Sequence, residues 1–330
     1  MAVTANTNET YDVSTIREDL SEAMASITPT ETLFMSTIGT RNVDNTYFEW
    51  SEVDLAATGA NRQIEGDVGL SNTAPTNAVR KGGYTQISAK VVEVSSTNQA
   101  VNGVANAQTV AKQVAYKLSE LKRDMEAMLL DNVAANAGAS GTARATAGLP
   151  AYLTSNVSRG SGGANGTTSG TGEAGFVNAA ATDGTLRPIT EALLKGVIAD
   201  CWNAGATPKI VMCGSAQKQK ISTFTGNATR YKEAEDSKLN AAIDVYISDF
   251  GEVQIVPNRH MRVRTVSSVD YTPDVFVLDP SYAEVAYLQT AKQEPLAKTG
   301  LSERRLISCE YGLQVTSQKA HGIIADINAT

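Results

Sequence analysis

Two strand-like runs and the long polar stretch between them constrain this chain more than any other feature of its sequence. "NTYFEWSEVDL" (45–55) and "GGYTQISAKVVEVSS" (82–96) alternate and are rich in aromatic and β-favouring residues, the pattern of strands. Between them lie about 28 residues, Ala56 to Gly83, that are polar and rich in Gly, Asn and Thr. A structureless connection of that length is rare inside a compact domain, and a two-stranded ribbon is barely stable alone. The whole segment 45–96 is therefore expected to project and to be stabilised by something outside its own domain.

What precedes it points the same way. Leu33, Phe34, Met35 and Ile38 form a small apolar hook between Pro29 and Gly39, too small to be a core by itself. Residues 1–26 are polar, with one helical pattern from Ser14 to Ala25 carrying Ile16, Leu20, Ala23 and Met24. So short a helix is marginal in water unless its apolar face is covered. The arm is also acidic: residues 1–35 hold six carboxylates against Arg17 alone, so −5 of the net −7 sits in the first tenth of the chain. Such an arm is repelled by nucleic acid and attracted to basic protein surface.

The 330 residues suffice for a substantial core, and 42% apolar with 19% charged residues is ordinary for a globular chain. The acidic balance argues against a surface built to neutralise phosphates. Cys201, Cys213 and Cys309 lack CxxC spacing and read as buried thiols of a reducing compartment. The N-terminus lacks a signal-peptide pattern and no stretch is apolar enough for a membrane helix. A cytoplasm-like compartment is expected.

The clearest period runs through Val104, Ala107, Ala111, Val114, Leu118, Leu121, Met125 and Met128, spaced 3-4-3-4-3-4-3. It predicts one long helix over about 103–136, a spine packed on a sheet or, alternatively, a coiled coil. Residues 137–187 are nearly all small and read as a flexible loop or linker. Helix and strand then alternate. "PITEALLKGVIADCWNAG" is an amphipathic helix with a stripe of Leu194, Val197, Ile198, Cys201 and Trp202. "KIVMCG" is a buried strand, Ser215 begins a helix to about Thr225, and "IDVYISDFGEVQIVP" is a hairpin about Phe250-Gly251. Strands follow at 274–278, 283–290 and in a pair near 304–318 and 321–327. The fold class is α+β.

Chemistry finds little support. His260 and His321 have no His, Cys or carboxylate partner at ligand spacing. "GTGEAG" (170–175) matches G-x-G-x-x-G but lacks the preceding strand and following helix that a dinucleotide site needs. No catalytic, cofactor or metal residues are assigned. Arg259, Arg262 and Arg264 form the one basic cluster. They are exposed strand positions pairing with carboxylates, a contact for another subunit's acidic arm, or a weak nucleic-acid signal.

"ITPTETLFMSTIGTRNVDNTYFEWSEVDLA" (27–56), "NRQIEGD" (61–67) and "MCGSAQKQKIS" (212–222) together resemble a family of tailed-bacteriophage major capsid proteins, and the likeness runs in order from about 27 to 325. The resemblance implies the shell fold shared with encapsulins. Residues 1–44 would be an N-terminal arm and hook, 45–100 an extended loop lying over a neighbouring subunit, and 101–186 a peripheral domain with its spine helix. Residues 187–280 would be an axial domain, and 281–330 strands returning to the peripheral sheet. Contacts between subunits would then involve Ile16, Leu20, Leu33, Phe34, Met35, Trp50, Arg62, Glu65, Lys81, Arg259, Arg262 and Arg264.

Some members of the family crosslink a loop lysine to a neighbour's asparagine. Lys81 is the only lysine in this loop before its second strand, and no motif supports a crosslink. The implied function is a self-assembling icosahedral shell of hexamers and pentamers around a double-stranded DNA genome, assembled in the host cytoplasm and found in the virion. A separate scaffolding protein, a portal and a decoration protein are the expected partners, without sequence-specific DNA binding, membrane or cofactor. The alternatives are an encapsulin-like cargo shell, a fibre or adhesin, for which no internal repeat is found, and an enzyme.

Overall fold

The computed structural model describes residues 28–62, 65–66, 75–101, 109–224, 245–298 and 300–328. The long helix forms as α3, Val110–Leu130; its expected first turns, 103–108, lie outside the described residues. The expected end over 131–136 is extended instead. Asp131 leaves the helical region, and a Cβ on Gly148 would run into its carbonyl oxygen. Asn132 then bonds both backbone groups of Ala181, donating at 2.6 Å and accepting at 3.0 Å, which draws the chain off the helix axis.

α3 lies across a four-stranded sheet in the order β1-β14-β15-β4, and this spine on a sheet excludes the coiled-coil alternative for the described part of α3. β1 (Gly39–Asn42) is parallel to β14 (Ala283–Pro295), which pairs antiparallel with β15 (Ser302–Val315), and β15 with β4 (Gln86–Ser95). A second sheet has six strands in the order β5-β16-β13-β8-β10-β9. These are Val157–Ser158, Gly322–Ile324, Val275–Leu278, Ile210–Cys213, Gly251–Pro257 and Val245–Ser248. α5 (Glu191–Asn203) covers it with Leu194, Val197, Ile198 and Cys201, is capped at its start by Thr190, and ends at Gly205 with φ +95°. One core joins α3, the first sheet and part of the second; another lies beneath α5.

Several expectations need correction. The run 82–96 is two strands: β3 (Val79–Tyr84) pairs with β2 (Tyr47–Glu52) in a ribbon, while β4 belongs to the four-stranded sheet. Thr85 makes the corner. Its N–H donates to Thr46 O at 2.9 Å, its hydroxyl donates to Glu310 at 2.7 Å, and its carbonyl accepts from Arg144 at 3.1 Å. The expected pair near 304–318 and 321–327 does not form, because a short 3-10 turn at Gln318–Ala320 sends β16 into the other sheet. There Gly322 passes so close to Val197 that a side chain would not fit.

The Gly-rich 137–187 is no linker. Its backbone pairs with itself, as in Ala164 with Thr182, β5 joins the six-stranded sheet, and Arg187 bridges to Ile327. The boundary expected at 186–187, and the return of all of 281–330 to one sheet, are therefore both too simple. Trp202 leaves the buried stripe of α5 and stacks, half exposed, on Phe250. α6 (Ser215–Ile221) stops short of Thr225. β11 (Arg264–Val266) and β12 (Val269–Tyr271) form a small hairpin not legible in the sequence, turning on Ser267 and Ser268 at positive φ.

Candidate assembly surfaces

The apolar hook is one short helix, α1 (Leu33–Thr37), and it is fastened to the spine by a buried carboxylate. The first amides of any helix lack partners within it. Thr32, at the N-cap, makes no side-chain bond to them. Glu126 of α3, 0% exposed, supplies the missing acceptors: Phe34 N–H donates to Oε1 at 2.6 Å and Met35 N–H to Oε2 at 2.9 Å. Asn258 Nδ2, at the end of β10, donates to Oε1 at 2.8 Å. One carboxylate thus ties the arm's end, the spine and the second sheet. Phe34 is fully buried in its own chain, which corrects the expectation that it meets a neighbour; Leu33 and Met35 are half-buried around it.

The root of the β2–β3 ribbon is likewise held by its own chain. Trp50 is buried, stacked on Phe48 at 5.9 Å and lying 6.5 Å from Tyr152, whose hydroxyl donates to Leu313 O. Burial raises the Tyr152 phenol above its ordinary pKa. Lys81 is buried between Glu52 and Glu173, with Glu173 Oε2 at 2.8 Å. The other Glu173 oxygen accepts from Gln318 Nε2 at 2.7 Å. Backbone bonds from Gly82 to Gly175 O (3.0 Å) and from Gly175 to Arg80 O (2.9 Å) clip the ribbon to the "GTGEAG" loop. Tyr47 and Tyr84 each pack edge to face on Phe176 beside it. Trp50 and Lys81 are therefore intrachain contacts, and Lys81 is not presented for a crosslink to a neighbour. No helix follows "GTGEAG"; β7 (Val177–Ala179) does.

Beyond the root the described residues are uncovered. Residues 53–62 carry no secondary structure and are exposed throughout, Leu55 at 84%. Arg62 and Glu65 are exposed there too. Ile16 and Leu20 lie outside the described residues.

The three arginines separate. Arg259 is exposed at a turn. Arg262 is nearly buried, bidentate on Asp183 (2.9 and 3.1 Å) and bonded to Asp274 at 2.9 Å. Arg264 reaches Asp326 at 2.8 Å. Both pair with carboxylates as expected, but inside the fold and with only Arg264 on a strand, so neither offers itself to an acidic arm. Burial alone would lower the Arg262 guanidinium, and Asp274 and Asp183 outweigh it, holding it above its ordinary value. Asp326 also accepts from Gly160 N–H (2.9 Å) and Gly184 N–H (2.8 Å), locking the Gly-rich segment to the C-terminal strand.

Burial pushes the thiols of Cys201 and Cys213 up to about 12 and that of Cys309 up to about 11, which leaves them inert. His321 is buried with Nδ1 accepting from Asp279 N–H, and burial pushes it down to about 4. Among the described residues no cluster of His, Cys, Asp or Glu would hold a metal ion. Glu126, Gln318 and Asp326 escaped the sequence reading, since nothing local marks a carboxylate or amide whose donors lie far away in the chain.

The fold has counterparts. A major capsid protein of Escherichia phage Phieco32 is 24% identical over an alignment 351 positions long, covering 95% of each chain. The capsid of a native GTA particle superposes with a TM-score of 0.61 at 14% identity over 97% of this chain and 98% of that one. The holo-SrpI encapsulin complex of Synechococcus elongatus gives 0.52 at 11% identity over 96% and 94%. These structures share the fold, and the sequence itself matches the SU10 major capsid protein family from residue 3 to 328, so the chain belongs to that family.

Proposed function

We propose that this protein is the major capsid protein of a tailed phage, building a closed shell by association with copies of itself. The observation that carries the reading is the family match over nearly the whole chain on a capsid fold. The geometry supports it: apolar residues such as Val53 and Leu55 stand without cover beyond a ribbon whose root is fixed. In this reading the four-stranded sheet with α3 is the peripheral domain and the six-stranded sheet the axial domain. The ribbon with its extension is the loop laid on a neighbour; the expected N-terminal arm over residues 1–26 lies outside the described residues. Leu33, Met35, Arg62, Glu65 and Arg259 are the remaining candidates for contact between subunits.

The shell encloses double-stranded DNA in the virion after assembly in the host cytoplasm. The net charge of −7 keeps the wall from sticking to what it encloses. A separate scaffolding protein and a portal complete the assembly, a decoration protein binds outside, and the chain does no catalysis. Electron microscopy and sedimentation of the expressed chain test this: shells are expected, and monomers under all conditions would refute it. Nuclease-protected DNA inside particles from infected cells, with no co-purifying protein cargo, separates a phage shell from an encapsulin-like one.

A further inference from the structure

The four-stranded sheet has two edges that meet solvent differently. β1 is only four residues long, and beyond it β14 contains Lys292 and Pro295 and is irregular, with two register shifts in its pairing with β15. Short strands, bulges, lysine and proline are what keeps an edge from pairing with another chain. The β4 edge is far less defended. It runs ten residues, Gln86–Ser95, in unbroken register with β15 and contains no proline. Its one lysine, Lys90, is committed to Glu120 and Asp124 of α3. On the face turned away from α3 stand Ile87, Ala89 and Val91 in a row, Ile87 61% exposed. Among the described residues, the backbone groups of β4 have no partner besides β15.

A strand edge of this kind is a template for one more strand. The chain also carries a donor. Residues 53–60 are exposed throughout, and none of their backbone groups is paired among the described residues. Val53 and Leu55, 54% and 84% exposed, alternate as side chains on one face of a strand do. Both halves, edge and donor, have apolar side chains at a spacing of two and no cover of their own. Resting on the shell reading above, we propose that the β4 edge of one copy receives residues 53–60 of a second copy as an added strand. Val53 and Leu55 then sit on the row of Ile87, Ala89 and Val91, and the main-chain bonds fix the register.

Disulfide trapping tests it, since the three native cysteines are buried. Subunits carrying Leu55→Cys are mixed with subunits carrying Ile87→Cys, Ala89→Cys or Val91→Cys, assembled, and oxidised. A linked heterodimer is expected from at least one pair, at about tenfold or more over the same mixture kept unassembled, because assembled neighbours meet at roughly millimolar effective concentration. Particles without any such link overturn the proposal, as does linkage only between two copies of Ala89→Cys, which would place β4 against β4. Absence of particles from the unsubstituted chain overturns the shell reading itself. Hydrogen exchange on unsubstituted particles gives an answer independent of any variant. Amides of both 86–95 and 53–60 must become protected on assembly, and either segment remaining at its unassembled rate refutes the added strand.

Discussion

Removing the Glu126 carboxylate should detach the hook from the spine before anything else in the subunit moves. Its two oxygens accept three bonds, at 2.6, 2.9 and 2.8 Å, from Phe34, Met35 and Asn258. Glu126→Gln keeps one oxygen, which the amide turns toward Phe34 and Asn258, and sets an NH2 against the Met35 N–H. One charge-assisted bond is lost and one donor is left opposed, at a cost of about 2 kcal/mol. Glu126→Ala orphans all three donors and leaves a void; two backbone amides and a side-chain amide at roughly 1–2 kcal/mol each bring the cost to about 4 kcal/mol. Urea unfolding of soluble subunits measures these sums, and peptide-resolved hydrogen exchange locates them. Protection over 33–38 should fall in both variants while that of β14 and β15 holds. Thr32→Ala serves as the control: Thr32 makes no capping bond, so its loss should cost under about 0.5 kcal/mol, below the usual value for a cap. Unchanged protection over 33–38 in Glu126→Gln, or a larger effect from Thr32→Ala, would refute the idea that the cap comes from the spine.

Four further outcomes follow from the same geometry. Phe34→Asp should destabilise the subunit itself, since it places a carboxylate at a site 0% exposed; Phe34→Ala should cost about 3–5 kcal/mol in urea unfolding. Lys81→Met strands Glu52 and Glu173 without their cation and should cost about 3 kcal/mol, with faster exchange over 79–84; an unaltered rate there would remove the ionic clasp from the account. Burial holds His321 near 4 against about 6.5 in an unfolded chain, so as pH falls from 6.5 to 4 the unfolded state takes up a proton that the folded state refuses. That contribution is present in full above pH 6.5 and is lost on acidification, about 3 kcal/mol in all; the stability difference between the native chain and His321→Gln should narrow by this amount across the window. Gly148→Ala drives a Cβ into the Asp131 carbonyl and should abolish soluble expression, whereas Gly196→Ala, in open space on α5, should not.

What the sequence revealed, and what it hid, divides along sequence distance. α5, β8 and the β9–β10 hairpin were readable because a stripe, a short apolar run and a glycine turn are each written within twenty residues or fewer. The Gly-rich 137–187 looked like a linker because it has few apolar anchors. The fold holds it instead through backbone bonds and through Asp326, some 140 to 170 residues away, which no local pattern records. Glu126 follows Met125 in the spine's periodic stripe and reads as the start of a solvated face. Its partners lie 91, 92 and 132 residues off. The alternation of Arg262 and Arg264 was visible, but Asp183, Asp274 and Asp326 were not, so burial of that cluster was not foreseeable. The ribbon was read as needing outside support along its whole length because an isolated two-stranded ribbon does. Trp50 and Phe48 beneath Tyr152 supply that support at the root from within the chain.

This division between root and reach bears on how a shell of such subunits becomes stable. Association costs several kcal/mol of rotational and translational freedom before any contact is counted, and every segment ordered at the interface adds to that cost. In this subunit the ordering at the base is complete before neighbours arrive. Glu126 fixes where the arm leaves, and Lys81 with Glu173 and Gln318 fixes the ribbon root. Asp54, ion-paired to Lys319, carries the fixed path two residues past the end of β2. What remains to be ordered is the short exposed stretch beyond it. In the proposed shell, residues such as Leu55 gain burial only on a partner, which would make the reach dispensable to the subunit and indispensable to the shell. Leu55→Asp should therefore leave urea unfolding of the subunit unchanged within about 0.5 kcal/mol while lowering the yield of particles. Lys319→Ala should spare folding and slow assembly by loosening that path, with final particles intact. A Leu55→Asp variant that unfolds more easily but still forms shells in full yield would invert the assignment of root and reach.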